Sequence, residues 1–353
     1  MLSDFTLIQK HFPHNRELHI HPIADVHLGA AEHMESAWRE FRTRILEDPD
    51  AYIILGGDLI NNSTRTSVSN IFDETMRPRE QKKLMTEMLE PLRDKILCAV
   101  PGNHEGRSGK DADDDPMYDI MCKLDLEDIY RENMAFLKIQ CGSVEADGRL
   151  NPTYVIAVTH GNGNGLLTGG SVNRAERFGY AIDGADVLIL GHTHKPFTTQ
   201  PGKIFVDSRN NKVSVKPFKV VSTTSWLAYG GYAARKNLLP TTHAPQILKL
   251  SGNHKEIKIE MERRTTMNTF LRKISSRKLW TAIAGVVVGI AALFGANESD
   301  WASVAGVVGA VASCIAYIIG ESKIDAARAA REDTVEYFST AEPLTGSDDP
   351  EKE

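Results

Sequence analysis

Five short segments of this chain place aspartate, histidine and asparagine at spacings that suit metal ligands. They read Asp-Val-His at 25–27, Gly-Asp at 57–58, Gly-Asn-His-Glu at 102–105, His-Gly at 160–161 and Gly-His-Thr-His at 191–194. Hydrolysis of a phosphate ester requires charge neutralisation on the phosphoryl oxygens and a hydroxide near neutral pH. Two cations roughly 3.5–4 Å apart supply both, and they need carboxylate, imidazole and amide ligands. The five segments contain that mixture.

Each of the five segments follows a short apolar run that predicts a buried strand. The runs are residues 18–23, 52–55, 96–100, 154–158 and 187–190. Runs of this length that are rich in Val and Ile are typical of sheet interiors. Ligands at the carboxyl ends of successive strands meet at one edge of a sheet, where α/β proteins place their sites. Helices are predicted at 35–46, 79–92 and 117–137, a polar loop at 106–116, and a hairpin at 203–215.

In this order the motifs resemble the pattern of the calcineurin-like metallophosphoesterases, which is Asp-x-His, Gly-Asp, Gly-Asn-His-[Asp/Glu], His and Gly-His-x-His. The match covers residues 18 to 195 or so. The resemblance implies an α/β fold, the four-layer α/β/β/α sandwich of that family. It also implies an enzyme, a metal-dependent phosphoric ester hydrolase.

The resemblance further implies a role for each motif residue. One metal would be held by Asp25, His27 and His194, the second by Asn103, His160 and His192, and Asp58 would bridge both. His104 corresponds to the catalytic histidine, which stabilises the transition state or protonates the leaving oxygen, and the nucleophile would be the metal-bridging hydroxide. Glu105 either orients His104 or caps a helix. Mixed nitrogen and oxygen ligation suits two divalent ions, for which we expect Mn, with Fe, Zn or Ni as alternatives.

The residues after Asp58 separate branches of the superfamily. Protein serine/threonine phosphatases carry Gly-Asp-x-x-Asp-Arg-Gly, but Asn61 stands at the second acidic position here and the Arg-Gly pair is missing. The opening blocks instead resemble SbcD-type DNA repair nucleases, and the whole chain resembles phage and prophage metallophosphoesterases. We therefore expect a phosphodiester substrate, with DNA or a nucleotide as candidates. Arg65, Arg107 and Arg174 are candidate phosphate-binding residues, because arginine can grip a phosphate with two N–H groups.

The formal net charge of −6 argues against a broadly basic nucleic-acid surface.

The composition of the chain changes after about residue 265. A basic linker at 266–278 precedes uncharged runs of 18 residues (279–296) and 20 residues (301–320). Each is long enough to cross a bilayer, and small residues at i and i+4 would let two helices approach closely. The organisation we expect is a catalytic domain at 1–265, a hairpin of two transmembrane helices at 279–320, and a polar helix with an acidic tail at 321–353.

Basic residues flank the hairpin on both sides, which predicts that both termini and the catalytic domain lie on the cytoplasmic face of a membrane. The hairpin also resembles those of phage holin-like proteins. Two alternatives stay open. The Gly/Ala-rich hairpin could instead pack in a soluble homo-oligomer, or the chain could be a holin-like membrane effector whose phosphoesterase domain only binds a ligand.

Overall fold

The computed structural model describes residues 5–65, 67, 71–142, 151–163, 165 and 167–262. They belong to a compact unit that spans Met1–Arg263. The predicted linker, hydrophobic hairpin and tail lie outside the described residues. Among the helices that are described, none combines the length and the apolar character that a membrane crossing requires.

The described part of the chain contains thirteen strands and six α-helices. The strands are β1 (Leu7–Phe12), β2 (Glu17–Ile23), β3 (Ala51–Leu55), β4 (Ile96–Ala99), β5 (Met134–Cys141), β6 (Thr153–Thr159), β7 (Val187–Leu190), β8 (Phe197–Thr199), β9 (Gly202–Asp207), β10 (Lys212–Pro217), β11 (Lys219–Ser222), β12 (Gln246–Ser251) and β13 (Ile257–Met261). The helices are α1 (Glu35–Glu47), α2 (Pro78–Leu89), α3 (Glu105–Ala112), α4 (Pro116–Lys123), α5 (Thr168–Tyr180) and α6 (Gly231–Arg235).

Two larger sheets and one hairpin organise these strands. The six-stranded sheet has the order β1-β5-β6-β7-β11-β8, and the five-stranded sheet has the order β13-β12-β2-β3-β4. The strands that precede the motifs run parallel to a neighbour: β2 pairs with β3, β3 with β4, and β6 with β7. Within each of the two sheets their carboxyl ends therefore lie at the same edge, whereas the sequence predicts one edge of a single sheet. β9 and β10 form a separate antiparallel pair.

The alternation of side chains along each strand places the sheets between helices. Ile156 and Val158 of β6 lie in the large core that the two sheets share, whereas Ala157 faces the smaller core under α5. On the five-stranded sheet, Ile20 of β2 lies in the shared core, and the ring of His21 contacts Phe41 of α1. Because the side-chain period of a strand is two, each sheet has one face toward the other sheet and one toward a helix. The mixed α/β class is thus confirmed.

Two predicted elements are wrong. The polar stretch 106–116 is mostly α3, a helix with little apolar surface, which is held instead by the buried carboxylate of Glu105 in its first turn. The helix predicted over 117–137 ends at Lys123, and the chain forms β5 from Met134. Alternate residues of β5 are buried, which is the period of a strand and not of a helix.

Candidate metal centre

Seven side chains meet where the parallel strands of both sheets end. We call them the metal-donor cluster: Asp25, His27, Asp58, Asn103, His160, His192 and His194. Asp25 and His27 follow β2, Asp58 follows β3 and Asn103 follows β4, while His160 follows β6 and the last two histidines follow β7. The residues come from both sheets, so the cluster depends on the stacking of the sheets as well as on their parallel order.

The backbone is strained at most of these positions. Asp25, His27, Asp58, His192 and His194 all have a positive φ, between 49° and 67°. This left-handed conformation is uncommon outside glycine, and Asp and His tolerate it better than most residues. Such strain collects at functional sites, where the surrounding structure holds the backbone in place. Here the chain turns sharply in the residues that follow β2, β3 and β7, and these turns carry the motif side chains to the cluster.

One donor set joins the first and last motifs. His194 Nε2 lies 3.3 Å from Asp25 Oδ1, and 3.1 Å from His27 Nε2. His27 Nε2 lies 3.9 Å from a carboxylate oxygen of Asp25 and also 3.9 Å from Asp58 Oδ2. Asp25, His27 and His194 therefore form one group of atoms close enough to hold a single ion.

The second donor set gathers around the other side of Asp58. The Nε2 of His160 lies 3.1 Å from Asp58 Oδ2 and 3.1 Å from Asn103 Oδ1. The amide oxygen of Asn103 is 2.6 Å from His192 Nδ1, and Asp58, His160 and His192 form a second group able to hold an ion. The Oδ2 of Asp58 borders both sets.

These separations fit metal ligands. Ligands bound at about 2.0–2.1 Å in a tetrahedral arrangement lie roughly 3.4 Å from one another, and the donor pairs measure 2.6–3.9 Å. The outer nitrogens of two histidines are also fixed. His27 Nδ1 lies 3.2 Å from Asn61 Oδ1, and His160 Nδ1 lies 2.8 Å from the carbonyl oxygen of Gly56. When these Nδ1–H groups donate, each Nε2 keeps its lone pair for a cation, as is usual for metal-binding histidines.

A scan against protein-family models matches the calcineurin-like phosphoesterase model over residues 18–196. The chain belongs to this family. The family hydrolyses phosphate esters in a metal-dependent way, which agrees with the donor chemistry above. No curated protein matches the chain.

In this calcineurin-like phosphoesterase, burial and mutual charge set the protonation of the cluster. Burial lowers the pKa of His160, but the Asp58 carboxylate overrides this effect and raises the pKa to about 10. Burial lowers the pKa of His27 well below its ordinary value, and the nearby imidazole of His104 acts in the same direction. The Asp58 carboxyl is fully buried, yet His160 and His104 hold its pKa well below the usual range. A cation at this edge would replace the proton on His160.

His104 lies beside the cluster and is oriented by backbone. Its Nδ1 lies 2.7 Å from the carbonyl oxygen of Asn61, and Arg107 Nη2 donates to its Nε2 over 2.9 Å. His27, Asp58 and His104 also form a group with metal-binding spacing. The guanidinium of Arg107 occupies the His104 lone pair, however, so this third group does not present a free donor at His104. Burial and Arg107 lower the pKa of His104 to about 4, which leaves its ring neutral near pH 7.

Glu105 has a role different from both sequence-based alternatives. Its carboxylate is fully buried, and it accepts N–H groups of Asp58 and Gly102 at Oε2 and those of Leu59 and Ile60 at Oε1. Burial and the Asp58 charge raise its pKa to about 7, against the effect of these donors. Glu105 thus clamps the turn that carries Asp58 to the turn that carries Asn103.

The three predicted phosphate-binding arginines have different surroundings. Arg107 touches His104 and also donates to the carbonyl oxygen of Asn61. Arg65 lines a cavity of about 510 Å³ between residues 63 and 80. Arg174 of α5 donates to the carbonyl oxygen of Asn162, two residues after the cluster histidine His160. Only Arg107 of these three contacts a residue that itself borders the metal-donor cluster.

The sequence analysis did not predict the structural roles of two asparagines, Asn61 and Asn62. The side chain of Asn61 accepts from His27 and donates to Glu74 Oε1. The buried side chain of Asn62 donates to the carbonyl oxygen of His104 and bonds Ser108. The signal was the pair of asparagines three and four residues after Asp58, where the chain turns with a positive φ at Asn62. These bonds tie the second motif to α3.

Proposed function

We propose that this chain is a dinuclear metal-dependent phosphodiesterase. The observation that carries the proposal is the position of Asp58, whose Oδ2 lies between a donor set from Asp25, His27 and His194 and a second set from Asn103, His160 and His192. Two divalent ions in these sets would clamp the phosphate and acidify a bound water. The nitrogen and oxygen donors suit Mn, Fe, Zn or Ni, and we propose Mn.

His104 and Arg107 are the groups that would meet the substrate beside the ions. His104 is held by the Asn61 carbonyl at Nδ1 and presents Nε2 within 3.8 Å of Asp58 Oδ2. We assign it the leaving-oxygen side, where its Nε2, once it has taken up a proton, would stabilise the transition state or transfer that proton to the leaving oxygen. Arg107 now donates to His104 Nε2, and a phosphoryl oxygen would compete for the same N–H groups. Substrate binding would then draw the Arg107 N–H away from His104 and free the lone pair of His104 Nε2.

A diester is favoured over a phosphoprotein by the residue at position 61. Asn61 carries no charge, and its side chain supports His27, while only its backbone carbonyl contacts His104. The histidine therefore lacks the carboxylate partner that the protein-phosphatase motif supplies. DNA or a nucleotide is the substrate class that we propose, at the cytoplasmic face of a membrane to which residues 279–320 attach the chain.

A substrate panel on the purified, Mn-loaded full chain tests the activity. It should contain a bis-aryl phosphate, an aryl monoester, single- and double-stranded DNA, cyclic nucleotides, a phosphoprotein and a lipid pyrophosphate. We expect turnover of diesters, and loss of it by more than roughly 100-fold in Asp58→Asn, which exceeds the effect of removing a group that only bonds to a metal ligand. The control His254→Gln alters an exposed histidine on the turn between β12 and β13 and should keep activity.

Two results would contradict the proposal. Absence of metal-dependent turnover on every ester, with Mn, Fe, Zn and Ni each tried, would favour a domain that only binds its ligand. Hydrolysis of monoesters alone would remove the diester assignment. The membrane attachment is tested separately, because full-length protein that remains in a high-speed supernatant without detergent would exclude it.

A further inference from the structure

The β9–β10 hairpin carries an apolar face that is open to solvent. Val206 pairs with Val213 and Ile204 with Val215, and residues that pair directly in an antiparallel ladder point to the same side. All four side chains are between 67% and 77% exposed. We call them the outer face of the hairpin. Soluble proteins rarely expose a large contiguous apolar surface, and where they do it commonly marks a contact site. Four exposed aliphatic residues on one side of a two-stranded ribbon are such a feature.

The opposite face of the hairpin is turned toward the body of the domain. Lys203 Nζ donates to the carbonyl oxygen of Gly179 at the end of α5 over 2.9 Å, and it lies 4.4 Å from the centre of the Phe218 ring. On the same face, the ammonium of Lys216 covers the ring of Phe205. The contacts of Lys203 hold this face toward the domain at the base of the ribbon, so the outer face points away from the domain there.

The charges of the hairpin indicate the kind of surface that it meets. Residues 202–217 contain four basic side chains, Lys203, Arg209, Lys212 and Lys216, and one acidic side chain, Asp207. The hairpin therefore carries a net charge of +3 within a chain of net charge −6. Two such hairpins would repel each other, which disfavours a second copy as the partner. Aliphatic side chains offer no ring for base stacking, which disfavours a nucleic acid.

We propose that the β9–β10 hairpin docks on an anionic lipid surface. Its outer face would enter the interface between headgroups and acyl chains, while Arg209 and Lys212 near the tip of the hairpin reach the lipid phosphates. Strands of six residues are about 20 Å long, enough to lie across several headgroups. The residues of this surface are other than those of the hydrophobic runs at 279–320, and the proposal is independent of the proposed catalytic activity.

The position of the hairpin has a consequence for the metal-donor cluster. The base of the hairpin adjoins the start of β11, since Phe218 N donates to the carbonyl oxygen of Pro201. β11 runs parallel to β7, whose carboxyl end carries His192 and His194. The base of the hairpin and the cluster therefore lie at opposite edges of the same sheet. Docking through the hairpin would leave the cluster accessible to a water-soluble substrate.

The test uses an environment-sensitive fluorophore on the full chain. Val213→Cys is labelled in a background of Cys122→Ser and Cys314→Ser, because Cys98 and Cys141 are buried. We expect a shift to shorter wavelength with phosphatidylcholine vesicles that contain phosphatidylglycerol, and none with phosphatidylcholine alone. A label at Lys83→Cys, exposed on α2, is the control and should respond to neither. Because the two vesicle types are compared, attachment through residues 279–320 does not affect the conclusion.

The charge contribution has its own variant. Each basic residue near an anionic surface is worth roughly a fivefold change in partition. Arg209→Gln with Lys212→Gln should therefore lower the ratio of inserted to free hairpin roughly 25-fold, with turnover unchanged. Equal spectra in the two vesicle types would overturn the proposal. So would a shift that follows protein concentration or added single-stranded DNA and not the lipid, since these results would indicate self-association or nucleic-acid binding.

Discussion

Replacement of Glu105 by glutamine tests whether one buried carboxylate holds the metal centre together. Its two oxygens accept four backbone N–H groups, two at each oxygen. Glutamine has the same shape but turns one oxygen into an N–H₂ group. Whichever way the amide is placed, two of the four donors lose their acceptor and face another donor instead.

The size of the effect follows from those two donors. A buried polar group without a partner costs about 1–3 kcal/mol, so two give a loss in unfolding free energy of about 2–6 kcal/mol. The loss should be measured by urea unfolding of metal-free protein, with the buried Trp38 and Trp226 as fluorescent reporters. Glu35→Gln is the matched control, because Glu35 also lies in the first turn of a helix but is half exposed.

The control separates two explanations of Glu105. If the carboxylate acted only on the helix dipole, both variants would lose similar free energy, typically below about 1 kcal/mol. We expect Glu35→Gln to lose less than that and Glu105→Gln to lose several times more, together with weakened Mn binding. A Glu105→Gln protein that unfolds within about 1 kcal/mol of the wild type would refute the clamp.

Three further experiments have defined outcomes, two on variants and one on the unaltered protein. Gly102→Ala should abolish Mn binding measured by elemental analysis, because its Cβ would lie 2.1 Å from Asp58 Oδ1, whereas Gly106→Ala meets nothing within 4 Å and should bind normally. Burial lowers the pKa of His21 to about 4, so its contribution to stability is present above pH 6.5 and is lost as the pH falls toward 4, by about 3 kcal/mol in total; His21→Phe should flatten this part of the urea-derived stability curve, and unchanged pH dependence would contradict the reasoning. Because the pKa of His160 is about 10, Mn binding should release about one proton near pH 7, and calorimetry in two buffers of different ionisation enthalpy should detect it; an affinity that is constant between pH 6 and pH 8 would contradict this.

Much of the sheet could be predicted because local pattern and global position agree there. β2, β3, β4, β6 and β7 are short apolar runs that end in a turn, and parallel strands buried on both faces have that appearance. Their order also predicted that the motif side chains would meet at one edge. The distances between those side chains depend on how the two sheets stack, and sequence contains no direct measure of that.

The elements that were missed lack a local signature. β1 and β8 are edge strands of the six-stranded sheet with partly exposed side chains, so few apolar residues mark them. α3 contains two glycines, a serine and an aspartate, which are weak helix formers. It exists because Glu105 and Asn62 bind its first turn to another motif 40 or so residues away. Tertiary bonds of this kind override local propensity.

The two central aspartates explain why the strained turns persist. Asp58 uses Oδ1 to accept the N–H of His104, while its Oδ2 faces the cluster histidines. Asp25 accepts the N–H of His192 and thereby joins the motif after β2 to the motif after β7. Each carboxylate thus serves a neighbouring turn and the cluster at the same time. The carboxylates that would bind metal also accept the N–H groups that hold the positive-φ residues in place. Loss of one of these negative charges should therefore loosen the backbone as well as weaken metal binding. The metal-donor cluster is therefore a structural unit of the fold, and its chemistry and its local stability cannot vary independently.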